Sequence, residues 1–357
     1  MTAGRIDATQ HAMRARGIDA LLVSIGSDLP YLTGYRAFPL ERITALVLPA
    51  DGDPALFVPE LEAPRVHTSV AVHAWAETDD PFGLMAAMLP KTGTIAVGDQ
   101  MWASFLIAFQ AHLTGASFVD AEPLMASLRV IKEADEVAAL RDAAHGVDRV
   151  ADELCNVRFS GRTEREISRI VTDLTLASGH DSVSFAIVAS GPNGASPHHE
   201  ASDRTIRPGD AIVIDFGGRV RGYGSDTTRM YCVGHTPDGF EDAYAVLVSA
   251  QKAAVGAVRP GMTAESIDAA ARSIIDDAGY GRFFIHRTGH GIGLDAHEQP
   301  YLVEGNEQPI EAGMAFSIEP GIYLPKRWGM RVEDIVVAVE GGVDRLNRSS
   351  RALRFVD

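Results

Sequence analysis

Gly161-Arg162-Thr163 and Gly261-Met262-Thr263 open two copies of one local pattern. The first leads into Ile167 and a helical stretch closing near Gly179; the second leads into Ile267 and a helical stretch closing near Gly279. In each copy a Thr stands where the first free N–H groups of a helix need an acceptor, and in the first Glu166 completes a capping box. The closing Gly suits the left-handed residue that ends a helix. A strand-like run follows each copy. Duplication of this kind predicts two halves related by approximate symmetry, with a site in the cleft between them.

The repeat occupies only the later part of the chain. The earlier part alternates short apolar runs, Ala20-Leu21-Leu22-Val23-Ser24, Thr44-Ala45-Leu46-Val47-Leu48, Ala55-Leu56-Phe57-Val58 and Thr94-Ile95-Ala96-Val97, with amphipathic stretches. That pattern predicts a small α/β domain. It changes near Asp120-Ala121-Glu122-Pro123, and from Lys132 a helix is expected with Val137, Leu140, Ala144 and Val147 on one face. Two domains follow, 1–128 and 129–357, as expected for a chain too long for one ordinary core.

Composition narrows the function classes. A formal charge of −16 without a Lys/Arg cluster argues against nucleic-acid binding. Cys155 and Cys232 have neither redox-pair nor zinc-knuckle spacing. The N-terminus lacks the apolar core of a signal peptide, and no apolar run reaches the roughly 18 residues of a membrane span. A cytoplasmic, reducing location with no membrane association is the expectation.

Five residues carry the chemistry. Asp215 follows the apolar run Ala211-Ile212-Val213-Ile214, and Asp226 precedes Thr227-Thr228-Arg229-Met230-Tyr231; glycines between them allow a hairpin that brings the two carboxylates face to face. His290 lies in Thr288-Gly289-His290-Gly291-Ile292-Gly293, where glycines let backbone pack closely behind an exposed imidazole. Glu319 ends Ala315-Phe316-Ser317-Ile318 and is followed by Pro320-Gly321. Glu333 lies in Arg331-Val332-Glu333-Asp334-Ile335-Val336-Val337, read as one strand with Arg331, Glu333 and Ile335 on a shared face. Carboxylates against apolar strands are costly unless paired or metal-bound. Four carboxylates and one imidazole suit a pair of divalent ions, manganese, cobalt or zinc, and lack the sulfur and nitrogen of a lone structural zinc. No HExxH, Walker or nucleophile-elbow pattern competes.

In order and local context these five residues resemble the ligands of the metallopeptidase family that includes methionine aminopeptidase, aminopeptidase P and prolidase. The resemblance spans the chain, because Tyr31-Leu32-Thr33-Gly34 is similar to a phrase of the creatinase-like N-terminal domain. It implies an α+β protein whose C-terminal domain has the pita-bread fold, behind a smaller α/β domain. It implies that Asp215 chelates one ion, that Asp226 and Glu333 bridge both, and that His290 and Glu319 hold the other. A hydroxide shared by the ions would attack the peptide carbonyl, and Glu319 would take and pass on the proton. His198, His286 and His297 match the Xaa-Pro branch, where they hold the proline side of the substrate, line the pocket and polarise the carbonyl; His199 is read as a neighbour only. Arg331 would orient a ligand carboxylate and lie within reach of substrate.

The reading favours a Xaa-Pro dipeptidase over an aminopeptidase P acting on longer peptides. A dipeptidase must hold the product-side carboxylate, usually by a guanidinium. Prolidases often carry that Arg four residues after the histidine matching His297, where this chain has Tyr301. Arg42, or Arg36, after the Tyr31-Leu32-Thr33-Gly34 phrase is the expected substitute. The resemblance also implies a homodimer, in which the N-terminal domain completes the neighbour's cleft. Metal-free creatinase-like hydrolysis and a non-catalytic peptide-binding role are disfavoured by the five intact ligands.

Overall fold

The computed structural model describes residues 2–357. The chain divides into two compact units, one ending at Arg129 and one running from Val130 to Asp357.

The first unit is built on six strands, β1 (Ala20–Val23), β2 (Ala45–Pro49), β3 (Ala55–Pro59), β4 (Ala71–Trp75), β5 (Thr92–Val97) and β6 (Gly115–Asp120), in the sheet order β4-β3-β2-β1-β5-β6. The sheet is mixed: β1 runs antiparallel to β2 and parallel to β5. The four central strands are the apolar runs of the sequence. The two edge strands were not marked by it, because most of their residues face water and a strand half out of the core needs no continuous apolar run. Ala20, Leu22, Val47, Phe57, Ile95 and Phe109 form part of its buried core.

The second unit carries the repeat, which extends beyond its two helices. Thr163 caps the helix Glu164–Ala177 in a reciprocal capping box with Glu166, and Thr263 caps the helix Ala264–Asp277 through the Ser266 N–H. The backbone ahead of each cap bonds a later segment in the same way. Gly161 N–H donates to Ile206 O and Ile206 N–H to Arg162 O, while Gly261 N–H donates to Ile310 O and Ile310 N–H to Met262 O. Gly161 and Gly261 both have positive φ, 85° and 91°, as do Gly179 and Gly279 at the far ends, 99° and 82°; only glycine adopts these angles without strain.

Each helix pair covers one sheet. Strands β7 (Ser182–Ser190), β8 (Ala211–Val220), β9 (Tyr223–Gly224) and β10 (Thr227–Val233) join the last strand of the chain, Arg354–Val356, in the order Arg354–Val356, β10, β8, β7, with β9 on β8. Val147, Val150, Ile167 and Val171 of the helices Ala134–Glu153 and Glu164–Ala177 pack on Val188, Ile212, Ile214 and Tyr231. In the second half, β11 (Gly289–Gly291), β12 (Glu298–Leu302), β13 (Ala315–Ile318), β16 (Asp334–Val339) and β17 (Gly342–Arg345) form a sheet in the order β12-β11-β13-β16-β17, and β14 (Gly321–Leu324) pairs with β15 (Trp328–Arg331). Phe240, Leu247, Ile267 and Ile275 of the helices Phe240–Ala257 and Ala264–Asp277 pack on Phe316, Ile318 and Val336. Each such side chain contributes about 1.5–3 kcal/mol on leaving water.

The expected single strand from Arg331 to Val337 is divided: β15 ends at Arg331, β16 begins at Asp334, and Val332 and Glu333 lie between. The interruption is held in place. Glu333 N–H donates to Thr228 O at 3.3 Å, its carbonyl accepts from Thr227 Oγ1 at 3.3 Å and from Arg229, and the fully buried Arg229 also pairs with Asp334 at 2.7 Å. With backbone groups satisfied outside a ladder, the chain can pass between sheets at this point.

Candidate metal centre and cavity

The β8–β10 pairing sets Thr228 opposite Asp215, and Asp226 directly precedes β10, so both acids come to one end of the hairpin. Asp215 lies mid-strand rather than at a strand end, since β8 continues to Val220. Glu333, at the break between β15 and β16, completes the group: one oxygen from each of Asp215, Asp226 and Glu333 lies within 4.8 Å of the others, and all three residues are buried. A second group, His290, Glu319 and Glu333, meets the same limit and shares Glu333. His290 Nε2 lies 3.1 Å from Glu319 Oε1 and 3.7 Å from Asp226 Oδ2. All five sequence-derived candidates therefore meet in one place.

The His290 imidazole is buried rather than exposed. Its strand is squeezed between β12 and β13, and a Cβ at Gly289 would lie 1.9 Å from Ser317 O and one at Gly291 2.1 Å from Gln299 O. Its Nδ1 lies 3.0 Å from Gly291 O, so that nitrogen donates to the backbone and Nε2 is the ring atom that faces the acids. Ser317 accepts from the His290 N–H at 3.0 Å and donates to Glu319 Oε1 at 3.1 Å.

The electrostatics of this cluster are those of a cation site. Burial, then mutual repulsion, pushes the carboxyls of Asp226 and Glu333 well above the usual carboxylate range. Asp215 is raised by burial as well, although Arg331 opposes the rise. Glu319 goes the other way: burial raises it, but the hydrogen bond and charge of His290, with His286 and Arg331, bring it to about 2. Asp215 Oδ1 and Glu333 Oε1 are buried and accept no hydrogen bond. Orphaned buried acceptors are costly, and carboxylate oxygens with one imidazole nitrogen are ligands that divalent ions such as manganese accept. The residues present fit such ions.

Arg331 is buried and already occupied. Its Nη2 bonds Asp215, its Nε donates to Thr228 Oγ1 at 2.9 Å, and its Nη1 donates to Tyr323 OH at 2.8 Å. Thr228 in turn donates to Glu333 Oε2 at 2.8 Å. Arg331 thus orients two of the candidate ligands, and each of its three nitrogens already donates to a protein group although it lines the cavity. Tyr323 and Thr228 were not marked by the sequence, since their partners lie on other strands. Tyr323 OH also lies 2.9 Å from His286 Nε2.

The cluster forms the floor of a cavity of about 790 Å³ whose lining includes Phe185, Ile187, Pro197 and Ile285 with His198, His286, Arg287 and His297. The rings of His297 and His290 are 4.0 Å apart, and the His297 Nδ1 lies 3.4 Å from Arg287 Nη2. Partial burial, the neighbouring His290 and Arg287 bring His297, whose residue surface is in part exposed, down to about 4. His199 is instead bonded to the buried Glu164 at 2.8 Å. Arg42 lies in the first unit, where it pairs with Glu77 and Glu41; Arg36 belongs to the same unit.

Residues 138–340 match the model of metallopeptidase family M24, and residues 5–131 that of the creatinase/prolidase N-terminal domain. The chain is 43% identical to a probable dipeptidase PepE of Mycobacterium tuberculosis, over 100% of this chain and 99% of that protein. It is 35% identical to a Xaa-Pro dipeptidase of Lactobacillus delbrueckii subsp. lactis, over 98% of each. The crystal structure of a recombinant prolidase from Thermococcus sibiricus superposes with a TM-score of 0.96 at 36% identity, covering 100% of this chain and 99% of that one. The fold is the expected one, a creatinase-like α/β domain followed along the chain by a pita-bread domain.

Proposed function

Because the chain belongs to metallopeptidase family M24, we propose that it is a Xaa-Pro dipeptidase, hydrolysing the peptide bond before a C-terminal proline. The observation that carries this reading is the pair of buried acceptors without donors, Asp215 Oδ1 and Glu333 Oε1, in a carboxylate cluster beneath a cavity walled by histidines. We assign Asp215 to one divalent ion, His290 and Glu319 to a second, and Asp226 and Glu333 to both. Manganese is our first choice, with cobalt or zinc as alternatives. Such ions, when bound, supply acidified water and a polarised carbonyl.

The chain's own residues supply the rest. His198 holds the proline side against the apolar wall of Phe185 and Ile187, and His286, its ring nitrogens engaged by Arg287 O and Tyr323 OH, lines the pocket. His297, whose Nδ1 faces the donor-only Arg287, carries its proton on Nε2 and donates it in a hydrogen bond to the carbonyl oxygen. Glu319 accepts the proton of the attacking water and hands it to the proline nitrogen as the carbon–nitrogen bond breaks. Arg331 acts through the ligands it orients. The exposed Phe38 and Leu40, in the segment from Tyr31 to Arg42, support a homodimer, and the two unpaired thiols suit the cytoplasm. No helix among the described residues is long and apolar enough to cross a membrane.

The test is cleavage of a Xaa-Pro dipeptide and of its tripeptide extension by protein loaded with manganese. The dipeptide should be the better substrate. Preference for the tripeptide would give the aminopeptidase P reading instead, and full activity after chelation would remove the metal assignment.

A further inference from the structure

We propose that Arg287 reads the free C-terminal carboxylate of the substrate and so makes this cavity select dipeptides; the inference rests on the Xaa-Pro reading above. Two guanidinium groups line the cavity, those of Arg287 and Arg331. Arg331 is excluded by its commitments to Asp215, Thr228 and Tyr323. Among the described residues no carboxylate is paired with Arg287. Its guanidinium rests 4.2 Å over the Tyr301 ring and 3.4 Å from His297 Nδ1. Stacking leaves the edge of the fork, with its N–H donors, available to a planar anion.

The position suits the ligand. Tyr301 is the cross-strand partner of His290, so the guanidinium stacks on the residue opposite a candidate metal ligand. The carbonyl to be attacked and the terminal carboxylate of a dipeptide are one residue apart, about 3.5 Å along the chain. Arg287 adjoins His297, the residue assigned to that carbonyl, with its Nη2 3.4 Å from the His297 Nδ1. A peptide one residue longer would bring a neutral amide, rather than a charge, to this point.

The presentation is rigid. On one side of Arg287, the His286 carbonyl accepts from Arg272 at 2.9 Å; on the other, the Thr288 N–H and hydroxyl donate to Asp268 Oδ1 at 3.1 and 2.7 Å. The Arg287 carbonyl is itself 2.7 Å from His286 Nδ1. Backbone fixed on both sides lowers the ordering cost of a long side chain when ligand binds. Arg42, the alternative from the sequence, already holds two acids, Glu77 and Glu41.

The experiment compares a Xaa-Pro dipeptide with its C-terminal amide, in manganese-loaded wild-type, Arg287→Ala, Arg287→Lys and Arg42→Ala proteins. Wild type should prefer the acid. Arg287→Ala should lose about ten- to a hundredfold more in kcat/KM on the acid than on the amide, mainly through KM, so that the preference collapses. Arg287→Lys should restore part of it. An unchanged acid-to-amide ratio in Arg287→Ala overturns the proposal. So does an equal fall in kcat on both substrates, which would make Arg287 a positioning residue for His297. Collapse of the ratio in Arg42→Ala would move the clamp there and also overturn it. A wild-type enzyme that cut the amide as well as the acid, or cut neither, would overturn the dipeptidase reading itself, and the clamp with it.

Discussion

Asp226→Asn should have opposite effects on stability with and without metal. Without metal, the Asp226 carboxylate is buried with Asp215 and Glu333, each offering an oxygen within 4.8 Å of the others. Two unit charges at that distance repel by about 3 kcal/mol at an effective dielectric constant near 20. Proton uptake by the raised carboxyls relieves part of this, so replacing Asp226 by a neutral amide should stabilise the metal-free protein by on the order of 2 kcal/mol. In a domain of this size that is a rise of roughly 4–8 °C in Tm. With metal the sign reverses: two ions, each at a hundred times its Kd, add about 5 kcal/mol, and the variant, lacking a charge assigned to both ions, should lose most of that increment and most of its activity. Thermal unfolding of both proteins, chelator-treated and with graded manganese, gives the four values needed. A metal-free variant less stable than metal-free wild type, or one that gains as much from manganese, would refute the assignment of a shared cation site to these carboxylates.

His297→Ala should lower kcat about a hundredfold to a thousandfold with little change in KM, because the donor acts mainly on the charge developing in the transition state; steady-state kinetics on a Xaa-Pro dipeptide decides. Glu164 predicts an acid-sensitive contribution outside the candidate metal cluster: burial raises its carboxyl, but donors from Ser202, Ser190 and His199 hold it at about 2, against 4.5 ordinarily. A depressed carboxyl stabilises above its unfolded value and loses the contribution as pH falls toward the folded one, so the stability gap of about 3 kcal/mol between wild type and Glu164→Gln should close between pH 4.5 and about 2 in urea titrations. Light scattering at micromolar concentration should give the mass of a homodimer; a fully active monomer would refute that expectation.

How far the sequence reaches depends on the range of the contacts concerned. The Thr caps, their closing glycines and the Asp215–Asp226 hairpin are local, fixed by residues a few positions apart, and all were readable. The central strands of the first unit announced themselves because both faces are buried, whereas β4 and β6 at the edges carry no such demand. Alternation correctly marked Glu333 as an acid in need of a partner but carried the strand through it; the break depends on Arg229 and Thr228, roughly a hundred positions earlier, whose bonds no periodicity encodes. Tyr323 and Arg287 were missed for the same reason. Each looks ordinary in its own segment, one an aromatic in a short strand and the other a charge between His286 and Thr288. Their chemistry comes from partners on other strands, Arg331 for the tyrosine and Tyr301 for the arginine. The candidate metal ligands are visible in the sequence because a buried acid violates the local pattern. A residue with the role proposed for Arg287 obeys it, and becomes visible only when folding shows which charge at the cavity wall has been left without a counter-charge.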